Sequence, residues 1–280
     1  MATTDAILRQ GLEGQGPERI LTLDPAFQGL PDTAHGGSVL AAFCLLAEPG
    51  PPLEMQGLYR KRVPLGMPLR LRVDHADDER VECRLLEAGD TTLVAGCIRR
   101  CGADMPSPAR VGRTMAADPL PVSSTCFACG VDNRLGLGVR LSQDDDAVWG
   151  RWPARENFCT PDGALAPVAL TALLDETAFW LGALASGESG MTTELVVRLR
   201  GRVPFGPAIT VGGRRDAVRP RPDDPRYWDT AVTAWDADGR VVAEAAITFV
   251  AVRGSARRLA AWLLRVNSPQ VVRRVFPAYA

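Results

Sequence analysis

The pentapeptide Arg62-Val63-Pro64-Leu65-Gly66 returns as Arg202-Val203-Pro204-Phe205-Gly206, 140 positions on, with four of its five residues kept. Upstream, Phe27 followed by Pro31-Asp32 is answered by Phe158 followed by Pro161-Asp162, at offsets of 131 and 130. Downstream, Thr92-Leu93-Val94-Ala95 is matched by Arg240-Val241-Val242-Ala243 at an offset of 148. Three matches in one order along a chain of 280 residues predict an internal duplication. The fold must therefore be one that about 130 residues can build, twice over. Between the copies, residues 103–125 carry Pro106, Pro108, Pro119 and Pro121 with little apolar periodicity, the composition of a linker. The expected organisation is a first unit over 1–102, the linker 103–125, a second unit over 126–253 and a closing helix within 254–280.

Each half contains one run that is apolar around its whole circumference, Gly36 to Ala47 and Leu165 to Ala185, and a helix without a polar face must be buried. Strand-like segments follow each: Leu58–Val63, Leu69–Val73, Val81–Leu86 and Thr92–Ile98, then Glu194–Leu199, Ala208–Val211, Thr230–Trp235 and Val241–Val252. One buried helix with four or five antiparallel strands, repeated, is an α+β layout in which each sheet wraps a helix. The two sheets are expected to join edge to edge. The segment Ala256 to Val275 sets Leu259, Trp262, Leu263 and Val266 against Arg257, Arg258, Arg265, Arg273 and Arg274, the pattern of an amphipathic helix on the protein's own surface.

Composition removes several function classes. Lys+Arg 32 against Asp+Glu 33 gives a net charge of −1, so the global basic field that nucleic acid or an anionic membrane surface would need is missing. Lys61 is the only lysine and follows Arg60, which excludes a Gly-Lys phosphate loop. Two histidines, His35 and His75, leave little for a multi-histidine metal site. His75 lies in the polar run Asp74 to Glu79 and is expected to face solvent. Cys126-x-x-Cys129 is a single pair without further ligands at matching spacing, and reads as packing thiols. Seven cysteines, an odd number, and an N-terminus without a charged-then-apolar leader predict reduced thiols in the cytoplasm. Apolar runs are interrupted by Glu48, Asp175 or Glu176 before reaching the length of a membrane span.

Three stretches resemble the hotdog-fold thioesterase superfamily, in the branch where His-Gly-Gly opens the central helix and an acid follows nine positions after the His. Phe27 to Gly37, ending Thr33-Ala34-His35-Gly36-Gly37, is similar to the loop and helix start. Leu173-Leu174-Asp175-Glu176 is similar to the acidic end. Cys126-Phe127-Ala128-Cys129-Gly130, with Asn133 and Gly136-Leu137, resembles the opening strand. The resemblance spans most of the chain as two tandem copies, a double hotdog: two central helices each wrapped by an antiparallel sheet, plus a C-terminal helix. It implies hydrolysis of an acyl-coenzyme A or acyl-carrier thioester. The implied partner is a small-molecule thioester, with no separate cofactor or metal, and copies are expected to pair as a homodimer through strand edges or sheet faces.

Each copy departs from that pattern in a complementary way. Nine residues after His35 stands Cys44, not an acid, and nine before Asp175 stands Ala166, followed by Pro167. In this branch the helix-start amides and the acid of one site come from opposite subunits, so a fused pair can keep one complete composite site. Its expected catalytic residues are Asp175, Glu176, His35, Gly36 and Gly37: helix-start amides receive the carbonyl oxygen, and a carboxylate activates water or attacks directly. Gln28, the trio Arg60, Lys61 and Arg62, and Arg200 and Arg202, with Arg198 alternating before them, are candidate substrate contacts. Phe43, Phe179 and Trp180 could line an acyl pocket or pack as ordinary core. The rivals are a non-catalytic acyl-thioester binder, and a dehydratase or hydratase using an Asp and His pair.

Overall fold

The computed structural model describes residues 2–47, 50–102 and 117–279; most of the linker, 103–116, lies outside these. The first half comprises α1 (Thr4–Gln10), β1 (Leu12–Glu13), β2 (Glu18–Leu21), α2 (Gly36–Cys44), β3 (Leu53–Tyr59), β4 (Leu69–Ala76), β5 (Arg80–Glu87) and β6 (Thr91–Arg100). The second comprises β7 (Asp118–Pro119), β8 (Ser142–Gln143), β9 (Ala147–Trp152), α3 (Pro167–Ser186), β10 (Gly190–Leu199), β11 (Ile209–Arg214), β12 (Arg219–Pro220), β13 (Tyr227–Trp235) and β14 (Val241–Ala251). Two short helices close the chain, α4 (Ser255–Leu263) and α5 (Pro269–Val275).

All strands belong to one antiparallel sheet in the order β1-β2-β4-β5-β6-β3-β10-β14-β13-β11-β9-β8-β7, with β12 on β13. Read outward from the β3/β10 seam, the order is β3-β6-β5-β4-β2 one way and β10-β14-β13-β11-β9 the other. The strands correspond one to one. At the seam Leu53 pairs with Leu199 and Leu58 with Glu194, so the inner edge of each half is covered by the other. A strand precedes each helix, β2 and β9, which apolar alternation in the sequence did not reveal. β3 begins earlier than its expected Leu58–Val63, so Arg60, Lys61 and Arg62 lie beyond its end, where Arg60 and Lys61 N–H both bond Leu93 O. The alternate-face argument for that trio fails.

The correspondence extends to loops. His35 N–H bonds Phe27 O at 2.8 Å as Ala166 N–H bonds Phe158 O at 2.9 Å, and Ala34 N–H bonds Val63 O as Leu165 N–H bonds Val203 O. The repeated Val-Pro turn therefore holds the start of each buried helix. α3 is long and apolar enough to cross a membrane by length and composition, yet 83% of that window is buried inside the protein, as a core helix requires. Aromatic rings cross from half to half: Phe27 to Phe127 at 5.0 Å, Phe127 to Phe158 at 6.0 Å, and Phe158 to Trp152 at 5.4 Å. Phe43 is core, against Gly96 of β6.

Two further expectations change. Cys126 to Gly130 is a tight turn, not an opening strand: Gly130 N–H bonds Cys126 O, while Phe127 N–H bonds Gln28 O in the other half. The closing segment is two helices, because Pro269 cannot donate within a continuous helix. Asn267 at the break bonds both Val122 O and Leu263 O, tying the C-terminus to the described end of the linker.

Glu54 of β3 fastens the seam. It is 6% exposed and accepts hydrogen bonds from Arg99 of β6 and from Arg198 of β10. Burial alone would raise its carboxyl pKa, but the bonds and charges of Arg198 and Arg99 outweigh this and hold it below the ordinary 4.5. Its contribution to stability is complete above pH 4.5 and is lost as pH falls through the lowered value. Thermal melting should show Glu54→Gln less stable than the parent at pH 7, with the gap closing in acid.

Candidate active site

The first half brings a helix start, the second an acid, and the fold crosses them. At Gly37 an added Cβ would lie 2.5 Å from Thr171 O and 2.7 Å from Ala172 Cα, so only glycine lets α2 approach α3 this closely. At Gly36 it would lie 2.8 Å from Asp175 Oδ2. Thr171 Oγ1 donates to Gly37 O at 2.8 Å, a second bond between the helices.

Asp175 and Glu176 are buried, as is His35. Asp175 Oδ2 accepts Gly37 N–H at 2.9 Å and faces His35 Nδ1 at 3.2 Å; Oδ1 accepts the Thr192 hydroxyl at 2.7 Å. On the other side of the ring, His35 Nε2 stands 3.6 Å from Glu176 Oε2, whose second oxygen accepts Trp180 Nε1–H at 3.0 Å. Burial alone would lower the His35 pKa, but the Glu176 hydrogen bond and the charges of Asp175, Cys126 and Glu176 outweigh it and raise the value to about 9. A ring nitrogen facing each of the two buried acids explains how consecutive acids persist in an apolar helix. Tyr59 donates to Gly36 O at 2.7 Å, and burial beside Asp175 pushes its phenol well above the ordinary range.

These groups open onto a cleft of about 810 Å³, mouth included. Its lining includes the apolar side chains of Phe179, Trp180, Met191, Trp262 and Leu263, together with Lys61, Arg62 and the loop residues Gly29 and Leu30. Gly37 N–H is taken by Asp175, whereas Gly36 N–H, half-buried at the first position of α2, has no partner among the described groups.

Of the residues proposed from sequence, the structure brings together Asp175, Glu176, His35, Gly36, Gly37, Lys61 and Arg62. Phe179 and Trp180 also line the cleft, and the remaining candidates do not. Gln28 bonds Thr125 on the connecting loop, and Arg60 does not line the cleft. Arg200 pairs with Glu244; Arg202 pairs with Asp162 in the opposite cleft, 140 positions from Arg62. His75 is exposed and bonds Asp77. Tyr59 and Thr192, which arrive from separate strands with no motif around them, were missed; Cys126 and Trp262 were noticed only as a packing thiol and as part of a surface helix, and both line the cleft.

The opposite cleft repeats the layout without the chemistry. Pro167 stands where Gly36 would, Leu165 for Ala34, Leu199 for Tyr59 and Val203 for Val63. Pro167 has no N–H to offer. Thr3, Asp5 and Arg9, from α1 and the residue before it, line this cleft. Cys44, in the place of Asp175, has a thiol raised to about 11 by burial.

No family model matches the chain, and no curated protein matches it in sequence. Solved structures do. An acyl-CoA thioesterase II from Mycobacterium marinum superimposes with a TM-score of 0.60 at 12% identity, covering 89% of this chain and 98% of its own. A hot dog fold protein from Alicyclobacillus acidocaldarius gives 0.60 at 11% identity, covering 89% and 97%. GphF dehydratase 1 gives 0.52 at 18% identity, covering 86% and 96%. The fold is a hotdog. That architecture serves hydrolysis and dehydration alike, so the reaction must be argued from the site.

Replacing Gly37 by Ala should push α2 off α3, lowering stability by about 1–3 kcal/mol, the usual cost of overpacking, on a denaturant titration.

Proposed function

We propose that the protein hydrolyses acyl thioesters of the coenzyme A type in one composite site of a duplicated hotdog, with the boundary between copies inside residues 103–125. The observation that carries this is the Gly37 N–H to Asp175 Oδ2 bond of 2.9 Å, which sets the acid of one half beside the unpartnered Gly36 amide of the other on an open cleft.

The thioester carbonyl oxygen accepts Gly36 N–H, where the positive end of the α2 dipole favours the charge that develops on it. Asp175 has about four acceptor positions as a carboxylate, three of them used by Gly37, His35 and Thr192. The remaining one takes a proton from water as the water oxygen attacks the carbonyl carbon. Collapse of the tetrahedral intermediate breaks the C–S bond, and Asp175 returns the proton to the leaving thiolate. The acyl group lies along Phe179, Trp180 and Trp262, and the thiol arm leaves past Lys61 and Arg62.

A dehydratase is the second reading, favoured by the direct contact of His35 with Asp175. Such a reaction needs a histidine free to take a proton from carbon. Here both ring nitrogens face carboxylates, at 3.2 and 3.6 Å, which supports hydrolysis instead. Free-thiol release from a panel of acyl-coenzyme A substrates, run beside hydration of an enoyl-coenzyme A, separates the two. Thiol release without hydration is expected.

Asp175→Asn keeps the shape and removes the base; turnover should drop by about a hundredfold or more in the thiol-release assay. Trp262→Ala should open the acyl end of the cleft. Relative kcat/KM for longer acyl chains is expected to rise about tenfold, the scale at which a pocket discriminates a methylene or two.

A further inference from the structure

Cys126 is a buried thiol at this site that the hydrolytic step does not use. It is 4% exposed and lines the cleft. Its Sγ lies 3.8 Å from Glu176 Oε2, which is itself 3.6 Å from His35 Nε2, and the three donor atoms all fall within 4.8 Å of one another. We propose that His35 Nε2, Cys126 Sγ and Glu176 Oε2 form a binding site for a divalent cation of the zinc class, with one coordination position left toward the cleft.

Spacing is the first argument. Tetrahedral zinc with ordinary bond lengths puts an imidazole nitrogen about 3.4 Å from a carboxylate oxygen, and a thiolate sulfur about 3.6 Å from it. The separations of 3.6 and 3.8 Å need to contract by about 0.2 Å each to meet those values, and the third edge, Nε2 to Sγ, lies within 4.8 Å where a tetrahedral site needs about 3.6 Å. The ligand types are the second: one nitrogen, one sulfur and one oxygen donor suit zinc, and three protein ligands with an open fourth position is the arrangement of reactive zinc centres.

The surroundings are the third. Bound metals require that each ligand be aimed by a further hydrogen bond, and each of these is. Asp175 holds His35 at Nδ1, leaving Nε2 to point at the other two donors. Trp180 Nε1–H holds Glu176 by the oxygen that faces away from them. Ala128 N–H donates to Cys126 Sγ at 3.3 Å. Burial of all three donors removes the competing water that makes exposed acidic groups poor sites. The proposal does not depend on the thioesterase reading.

Cobalt(II) titration of the purified full-length protein, stripped beforehand with a chelator, tests it without any activity assay. Tetrahedral thiolate-bound cobalt gives intense visible bands and near-ultraviolet charge transfer. The expected result is one equivalent bound per chain, displaced by zinc, with the charge-transfer band lost in Cys126→Ser and stoichiometric binding lost in Glu176→Gln. Cys83→Ser, at a buried thiol remote from the cleft, should bind as the parent does, and circular dichroism should show every variant folded. Failure of the parent to bind one equivalent of cobalt or zinc at tenfold excess would overturn the proposal, as would an unchanged charge-transfer band in folded Cys126→Ser.

Discussion

The close crossing of α2 over α3 at Gly36 and Gly37 is the contact on which the site depends. Two helices buried in a common sheet would ordinarily be kept apart by their side chains, at 8–10 Å between axes. Glycines at the crossing let a backbone amide of one reach a carboxylate of the other at 2.9 Å. The same feature satisfies a buried acid and leaves the neighbouring amide free, so packing and chemistry draw on one pair of residues. The β3/β10 seam supplies the rigid frame, since it fixes where each helix start falls relative to the other helix.

Duplication would give two such crossings, and the two clefts differ in chemistry. On one side His35, Gly36, Asp175 and Glu176 form a buried polar cluster in which each acid faces a ring nitrogen of the histidine. On the other, the equivalent positions are the uncharged Cys44, Leu165, Ala166 and Pro167. Keeping two buried charged clusters would require each to be completely paired, and losing one of them carries no such demand. The terminal helices follow that division: α4 contributes Trp262 and Leu263 to the charged cleft, while α1 brings Asp5 and Arg9 to the other.

Much of this was legible in the residues themselves. The Val-Pro repeat was found because it anchors each helix start by a backbone bond, so its residues are constrained by geometry in both copies. The acids Asp175 and Glu176 stood out because charge inside an apolar helix is costly, and the pairing of half-motifs followed from the missing acid at Cys44 and the missing amide at Pro167. Legibility failed where partners come from far away in the chain. Arg62 and Arg202 are equivalent in sequence, yet only one lines the charged cleft, and nothing local distinguishes them. Cys126 read as a packing thiol because its neighbours at the site, His35 and Glu176, are separated from it by most of a domain on one side and by two strands and the start of a helix on the other. The short strand β2 escaped notice because its alternation covers only four residues, too few to separate from chance.

A crystal structure with a ketone analogue of an acyl-coenzyme A, in which a methylene replaces the thioester sulfur and the carbonyl is kept, tests the composite site most directly. The account predicts the carbonyl oxygen within hydrogen-bond distance of Gly36 N, about 3 Å, with the acyl chain toward Trp262 and the Pro167 cleft free of analogue. An analogue seated at Pro167, or one lying in the charged cleft with its carbonyl turned away from Gly36 and Asp175, would contradict it.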